Sequence, residues 1–483
     1  MIRTLTAVLS MLAAATFAAA VENLPLERDL PVASIELELD DAWIEVRLEA
    51  DAAPSLRAEV MPGSEDGQAS LEISDRGGQV RIARAPAGDS ATTPTLTLEL
   101  VLDRTQSIQV RGTRLGIAVR EAASPEPTIP GAKSGNAEPS TAVAVTGHRF
   151  DLTDSEVQLQ GASAITVTGN NTVVYSENGV GAVVAELTFG SLTLREQQGS
   201  LQLTATDSES TIESLDGDIS FTLTGGGLDV RNGSGRIQGT SQGGMVATSG
   251  WEGDISITGT EATVALREGR GGQTKIIAED SDVTLDGIDG SLIIQLKGGQ
   301  LSADRISGTA KISGSQSGRF SLRDSDGTLD LTLRDESSGE VVDVMGTLNA
   351  QVADGSLDIS GAQIVNLTAA RSEVTVANIR RLAKFNVQSS EVGLDLREAQ
   401  DRALNLRVPD DVDITVDLPS PCRVQLQGGS GTSQGLDVSG CELQLERLGR
   451  WKGAGRRDLE GRRPFLLTAT LAPTGQLRVR GGS

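Results

Sequence analysis

Three consecutive stretches decide the fold: GSLQLTATDSESTIESLD (residues 199–216), GDISFTLTGGGLDVRNGS (217–234) and GRIQGTSQGGMVATSGWE (235–252). Each opens on a glycine and runs for 18 residues. The register extends both ways, through Gly181, Gly199, Gly217, Gly235, Gly253, Gly272, Gly290, Gly308, Gly327 and Gly346, at steps of 18 or 19. A period of this length marks a stacked repeat architecture. Apolar residues keep the same step. Two places after the glycines stand Val183, Leu201, Ile219, Ile237, Ile255, Thr274, Leu292, Ala310, Leu329 and Leu348, of which only Thr274 is polar. Four places after stand Leu203, Phe221, Ile257, Ile276, Ile294, Ile312 and Leu331, with Ala185, Gly239 and Ala350. Alternation at period two describes a strand with one face inward. A second apolar pair follows, as in Leu192/Leu194, Leu228/Val230, Val264/Leu266, Val283/Leu285 and Leu301/Ala303. Some repeats add an inward residue just before the glycine: Leu215, Trp251, Ile288 and Ile306. Each repeat therefore holds two short strands. Its glycine stands at a tight corner, where positive φ or close backbone approach suits a residue without Cβ.

One such repeat cannot bury two strand faces alone. Stacking each on the next gives parallel ladders around a continuous apolar column, the logic of a β-solenoid (β-helix or β-roll). The predicted fold is all-β, with about fourteen rungs of 18–19 residues. An antiparallel β-sandwich would not require a strict period. Helix is opposed by runs such as Leu329-Asp330-Leu331-Thr332-Leu333, which alternate every second residue.

The 483-residue chain divides into five regions. Residues 1–20 read as a signal peptide: Arg3, an apolar run from Leu5 to Phe17, and Ala18-Ala19-Ala20 with cleavage after Ala20. That run is too short for a transmembrane helix, and no later segment is long and apolar enough to span a bilayer. Export to a bacterial periplasm, cell surface or medium is expected. Residues 21–122 form an N-terminal β-rich cap region with irregular, hairpin-like alternation, as in Ile35–Leu39 and Trp43–Leu48. Residues 123–140 are a Pro/Ser/Gly linker or loop, 141–400 the solenoid, and 401–483 a C-terminal β cap with a basic tract. The tripeptide Ser-Glu-Val recurs at 155–157, 372–374 and 390–392. No membrane β-barrel is expected at the end, because the period fades without giving way to amphipathic membrane strands.

Cys422 and Cys441 are 19 apart, one repeat, in the matching contexts CRVQLQ and CELQLE. Stacked rungs would hold their Cα atoms about 5 Å apart, inside the range of a disulfide. In an exported chain this pair is a structural disulfide.

Asp and Glu number 66 against 42 Lys and Arg, a net charge of −24. Nucleic acid is not an expected partner, since phosphate binding needs clustered cations and the chain as a whole is strongly acidic. Anionic glycans would be repelled unless a metal ion bridged them. The acidic surface keeps exposed strand edges from pairing. Against this background, Arg447, Arg450, Lys452, Arg456, Arg457, Arg462 and Arg463 make a basic tract. It reads as a solvated loop or a partner for the chain's own acidic surface, with anionic lipid as the alternative.

Catalytic sets are hard to assemble. His148 is the single histidine and lies beside the linker, so it reads as a solvated loop residue, and no Ser-His-Asp or Cys-His system is expected. Polysaccharide lyases and hydrolases use carboxyl pairs about 5–9 Å apart, a spacing that any acidic column on a solenoid meets. Asp218, Arg236 and Asp254 share such a column, and an outward charge ladder is the simpler reading. Aromatic platforms for sugar rings are few: three Trp, one Tyr and seven Phe, with Trp251 in core register. Asp280-Ser281-Asp282, Asp286-Gly287 and Asp289-Gly290 match neither an EF-hand nor a calcium nonapeptide, and Asp-Gly at corners is turn chemistry. No catalytic, cofactor or metal residue is assigned.

The signal peptide, the Gly-x-Leu-x-Val-type strands at 18–19-residue steps and the acidic, aromatic-poor surface resemble bacterial adhesin-type β-solenoid repeat proteins. The resemblance covers about 141–400 and carries over no functional residue. It implies an exported, non-enzymatic envelope or surface-interaction protein whose partner is an envelope protein or a glycan surface. A polysaccharide-active β-helix lyase or hydrolase, and a scaffold of an envelope complex, are the alternatives.

Overall fold

The computed structural model describes residues 20–23, 26–29, 34–49, 54–60, 70–75, 79–84, 96–103, 106–121, 147–399, 403–408, 412–427, 436–447, 450–454, 464–471 and 476–481. Residues 1–19 of the predicted signal peptide, the whole predicted linker 123–140, and Arg456, Arg457, Arg462 and Arg463 lie outside them. The described residues are all-β, in parallel stacked coils of roughly 18 residues, about 14 turns of β-solenoid. They fall into two compact units, 1–198 and 199–483.

In the second unit the stacking follows chain order. Strand Leu201–Thr206 pairs in parallel with Ile219–Thr224, placing Leu201 against Ile219, and the next steps place Ile219 against Ile237 and Ile237 against Ile255. These residues, with Thr274, Leu292, Ala310, Leu329 and Leu348, are all buried. Trp251, also buried, donates its indole N–H to the Gly235 carbonyl at 3.2 Å. Bulk on one coil is matched by its absence on the neighbour. A Cβ on Gly233 would stand 2.5 Å from the Trp251 ring, and one on Gly239 would stand 2.5 Å from Phe221 Cδ1. Such large–small alternation lets bulky side chains on neighbouring coils interdigitate.

The periodic glycines mark corners for a backbone reason. Gly253 has φ +133, and an added Cβ would stand 2.1 Å from the carbonyl oxygen of Gly235 one coil earlier. Gly327 stands in the same relation to Gly308, also at 2.1 Å. Each glycine thus leaves room for the backbone of the one before it. A second corner lies at the other end of the first strand. There a left-handed residue (Asp207, Asp280, Arg371 or Ser389) precedes a buried serine (Ser208, Ser281, Ser372 or Ser390). Ser281 Oγ donates to the Glu279 carbonyl at 2.7 Å and accepts the Ala262 N–H of the preceding coil at 3.0 Å. Ser390 Oγ likewise donates to Gln388 O at 2.8 Å and accepts the Ser372 N–H at 3.0 Å. These buried hydroxyls are satisfied in both roles and tie one coil to the next.

At the end of this unit the order changes. One sheet runs Glu391–Asp395, Asp413–Leu418, Gln476–Gly481, Leu436–Ser439. The facing one runs Ala403–Val408, Phe465–Leu471, Cys422–Gln427, Glu442–Arg447, closed by the antiparallel strand Arg450–Ala454. The last coil of the chain, 465–481, is therefore inserted between coils 403–418 and 422–439. Cys422 opens its strand, Cys441 immediately precedes the neighbouring strand Glu442–Arg447, and the two form a disulfide with Cα atoms 4.9 Å apart.

The first unit shows the same device. Strand Ser34–Asp40 lies between Gln79–Arg84 and Ser107–Thr113, and strand Ala42–Glu49 lies between Leu96–Asp103 and Gly116–Glu121, all parallel. From there the coils continue in chain order through His148–Gln160 and Ile165–Glu177 to Val183–Gln198. Antiparallel strands close the outer end: Ala20–Asn23 on Ser70–Asp75 on Gln79–Arg84, and Leu26–Asp29 on Ser55–Val60 on Leu96–Asp103. The region read from sequence as hairpin-like thus holds antiparallel closing strands outside and parallel coils inside. Its spacing looks irregular because coil 34–49 stacks on 107–121, while strands Gln79–Arg84 and Leu96–Asp103, which come between them in the chain, pair with its other side.

Candidate interaction surface

His148 is not the solvated loop residue expected from the sequence. It opens strand His148–Thr153, is 1% exposed and pairs in register with Ile165 in the inward column. Neither ring nitrogen has a hydrogen-bond partner. Burial pulls its pKa down to about 4, so the ring is neutral at neutral pH. The signal that places it inside was the alternation His148-x-Phe150-x-Leu152, whose other two members are also buried. The neighbouring low-complexity stretch masked it.

The acidic residues singled out by sequence scatter among structural tasks. Asp218 Oδ1 accepts the backbone N–H of Arg236 at 2.9 Å, and Asp254 Oδ1 accepts that of Gln273 at 2.8 Å. These outward carboxylates close glycine corners. Asp280 is the left-handed corner residue before Ser281, while Asp286 accepts Arg305 Nε–H at 2.8 Å and Asp289 accepts the Ser307 hydroxyl at 3.2 Å. Among the described residues no three His, Cys, Asp or Glu converge on a metal-binding geometry. The Ser-Glu-Val tripeptides resolve the same way: Ser155, Ser372 and Ser390 are buried corner hydroxyls, the glutamates point outward, and Val157, Val374 and Val392 are core.

Parallel register arranges outward side chains in columns. On the first sheet of coils 201–260 the central column is Thr204, Thr222, Thr240, Thr258. Gln202, Ser220, Gln238 and Ser256 flank it on one side, and Thr206, Thr224, Gln242 and Thr260 on the other. None of these twelve is charged in a chain of net charge −24. They form a neutral, hydroxyl- and amide-rich area about 14 Å on a side. The other sheet of the same coils carries Glu209, Glu213, Asp229 and Arg231, the last two paired at 2.6 Å.

Two open hollows lie further along the second unit. One, of about 480 Å³, is lined by Arg371, Glu373, Glu391 and Asp413 with Gly355, Ser372, Ser389 and Ser390. Its carboxylates come from three consecutive coils, Glu373 against Glu391 against Asp413. Like charges at a rung spacing of about 4.8 Å oppose stacking. Arg478 reaches Asp413 at 3.8 Å. Arg371 bonds Asp354 through Nε at 2.6 Å and Nη2 at 2.5 Å, holding that carboxyl below the usual range. The second hollow, about 250 Å³, includes Arg319, Phe320, Glu340 and Asp358. Sequence reasoning missed both, because the columns exist only once the register is known. Of the basic tract, Arg447, Arg450 and Lys452 fall on the last antiparallel pair.

The fold and this surface define an all-β solenoid repeat protein with a neutral area on the first sheet of coils 201–260. No family model, curated protein or solved structure matches the chain.

Proposed function

We propose that the chain is an exported, non-enzymatic envelope or surface-interaction protein, adhesin-like in role, that presents a rigid β-solenoid face to an envelope protein or a glycan. The observation that carries this reading is the uncharged Thr/Ser/Gln sheet of coils 201–260. Hydroxyls and amides fixed on a strand ladder lose little further freedom when a partner docks. A neutral area within an acidic surface also favours one orientation of approach. The Cys422–Cys441 disulfide fits an oxidising compartment. Among the described residues no helix is long and apolar enough to cross a membrane, which fits the same reading.

The test is to pass the purified full chain over neutral and acidic polysaccharides, with and without calcium, scoring retention and new chain ends together. Retention without new ends is expected. A second reading, a polysaccharide hydrolase or lyase, is favoured by the Glu373–Glu391–Asp413 column in its hollow. Release of new ends, lost in Glu391→Gln, would establish it and sink the first. Absence of both retention and turnover would shift the weight to a scaffold with a protein partner.

A further inference from the structure

Phe150, Phe221, Phe320, Phe465 and Trp251 are buried. Trp43, Tyr175, Phe189 and Phe385 are not. Phe385 is half-buried on strand Arg381–Gln388 of the second unit, in register with the core residue Leu367, whereas the other three stand at outward or corner positions of the first unit. Phe189 is the most telling. It is 62% exposed and has φ +55, a left-handed conformation that a bulky L-residue adopts only at a cost of about 1 kcal/mol or more. The same corner in the two preceding coils is held by Asp154 and Asn171, residue types that tolerate it. The corner itself is pinned. A Cβ on Gly190 would stand 2.5 Å from the Thr172 carbonyl oxygen, which accepts the Ser191 N–H at 2.9 Å. Phe189 thus neither packs inside nor suits its backbone.

Its surroundings extend the apolar surface. Val173, 48% exposed, lies in the preceding coil in register with Ser191. Two residues further along that strand, the Tyr175 ring has the Arg195 guanidinium 5.7 Å from its centroid, and its hydroxyl donates to Glu177 at 3.3 Å. On the same sheet, Trp43 lies in the column Thr97, Trp43, Gly116, Glu156, Val173. Its indole covers Gly116, where a Cβ would stand 2.2 Å from the ring. Three coils separate Trp43 from Val173, about 14 Å.

We propose that this face of the first unit binds a neutral polysaccharide chain, with Phe189 and Tyr175 as stacking platforms and Trp43 as a third further along the ladder. The proposal rests on the surface-interaction reading above and adds to the neutral sheet of coils 201–260 a second surface with a stated ligand class. Aromatic rings receive the C–H faces of sugar rings, and the intervening polar side chains are within reach of sugar hydroxyls. Charge argues against an anionic ligand. Arg47 is engaged by Glu45 and Glu99, and Arg195 lies against Tyr175. Arg120, in register with Arg47, shares the face with Glu156 and Glu177, and the net charge of −24 opposes an anionic chain.

The experiment measures retention of the full chain on insoluble β-1,4-glucan and chitin, with carboxymethylated glucan as the charged control. Wild type, Phe189→Asn and Tyr175→Thr are compared, and each is also followed by thermal unfolding. Retention by the neutral polymers above the charged one is expected. Each substitution should weaken it about tenfold, the effect of one lost aromatic contact. Phe189→Asn should unfold at the same temperature as wild type or higher, so a loss of binding cannot be a loss of fold. Wild-type retention unchanged in both variants would overturn this site and leave the broader function standing. No retention of wild type on either neutral polymer would overturn the proposed ligand. Release of new chain ends would overturn the broader reading itself.

Discussion

Coils 199–346 of the second unit and coils 34–121 of the first are built on one stacking rule but differ in how the chain supplies the neighbour. In the second unit, Gly253 sits over Gly235, 18 residues back, and the period is plain in the sequence. In the first, Gly112 sits over Leu39, and a Cβ on it would stand 1.6 Å from the Leu39 carbonyl oxygen. The Thr113 N–H reaches Asp40 Oδ1 at 2.8 Å across a separation of 73 residues. The contact rule is the same, and only the sequence distance has changed. Both chain ends use this interleaving. Coil 34–49 and coil 465–481 each have a parallel coil on both sides. Antiparallel strands close both sheets of the first unit and one sheet of the second, whose other sheet ends on the parallel strand Leu436–Ser439. Atypical terminal strands of this kind end the regular succession of parallel rungs, as the caps of a repeat array do.

The comparison breaks most sharply at the glycines. Gly253→Val and Gly112→Val should be equally severe, each above about 3 kcal/mol, because the obstructing atom is backbone. Gly243→Ala, with φ +66 and nothing within 4 Å of its Cβ, should cost only about 1 kcal/mol. Chemical denaturation checks all three. Tolerance of Gly112→Val alone would show that coils 34–49 and 107–121 are not stacked.

His148 probes the coil that follows the interleaved region. Its folded pKa, about 4, lies below the ordinary 6.5, so the unfolded chain takes the proton first as pH falls. Stability is full above about pH 6.5 and declines towards pH 4, by on the order of 3 kcal/mol in all. His148→Leu should remove that decline. The measurement is the denaturation midpoint between pH 7 and 4.5, with hydrogen exchange in strand His148–Thr153 as the local readout. Equal acid sensitivity in the variant would mean that His148 is not the buried group responsible.

Buried corner hydroxyls give a finer pair. Ser281→Ala strands the Ala262 N–H one coil back, and Ser155→Ala strands the Leu115 N–H, 40 residues back. Both should cost about 1–3 kcal/mol, the penalty for an unsatisfied buried donor. A much smaller value for Ser155→Ala would show looser stacking in the first unit. The smallest effects belong to the surface ion pairs. Arg371→Ala, which loses Asp354 within the regular coils, and Arg114→Ala, which loses Asp41 from an interleaved one, should leave the melting temperature within error, because exposed pairs contribute little. A clear drop in either would mark that pair as more than a surface contact.

What the sequence determined by itself was everything that recurs at the repeat step. The core positions from Leu201 to Leu348, the third inward residues Leu215, Trp251, Ile288 and Ile306, and the glycine corners are legible because each residue's neighbour is the equivalent residue one period later. The cysteine pair belongs to the same class, one repeat apart on adjacent strands. Tertiary structure alone decided what depends on non-periodic neighbours. The burial of His148, the insertion of coils 34–49 and 465–481, the carboxylate column Glu373–Glu391–Asp413 and the strained, exposed Phe189 are of this kind. The physical reason is register. A ladder's side-chain columns are set by which backbones exchange hydrogen bonds, and where the chain stacks out of order no local pattern records the partner.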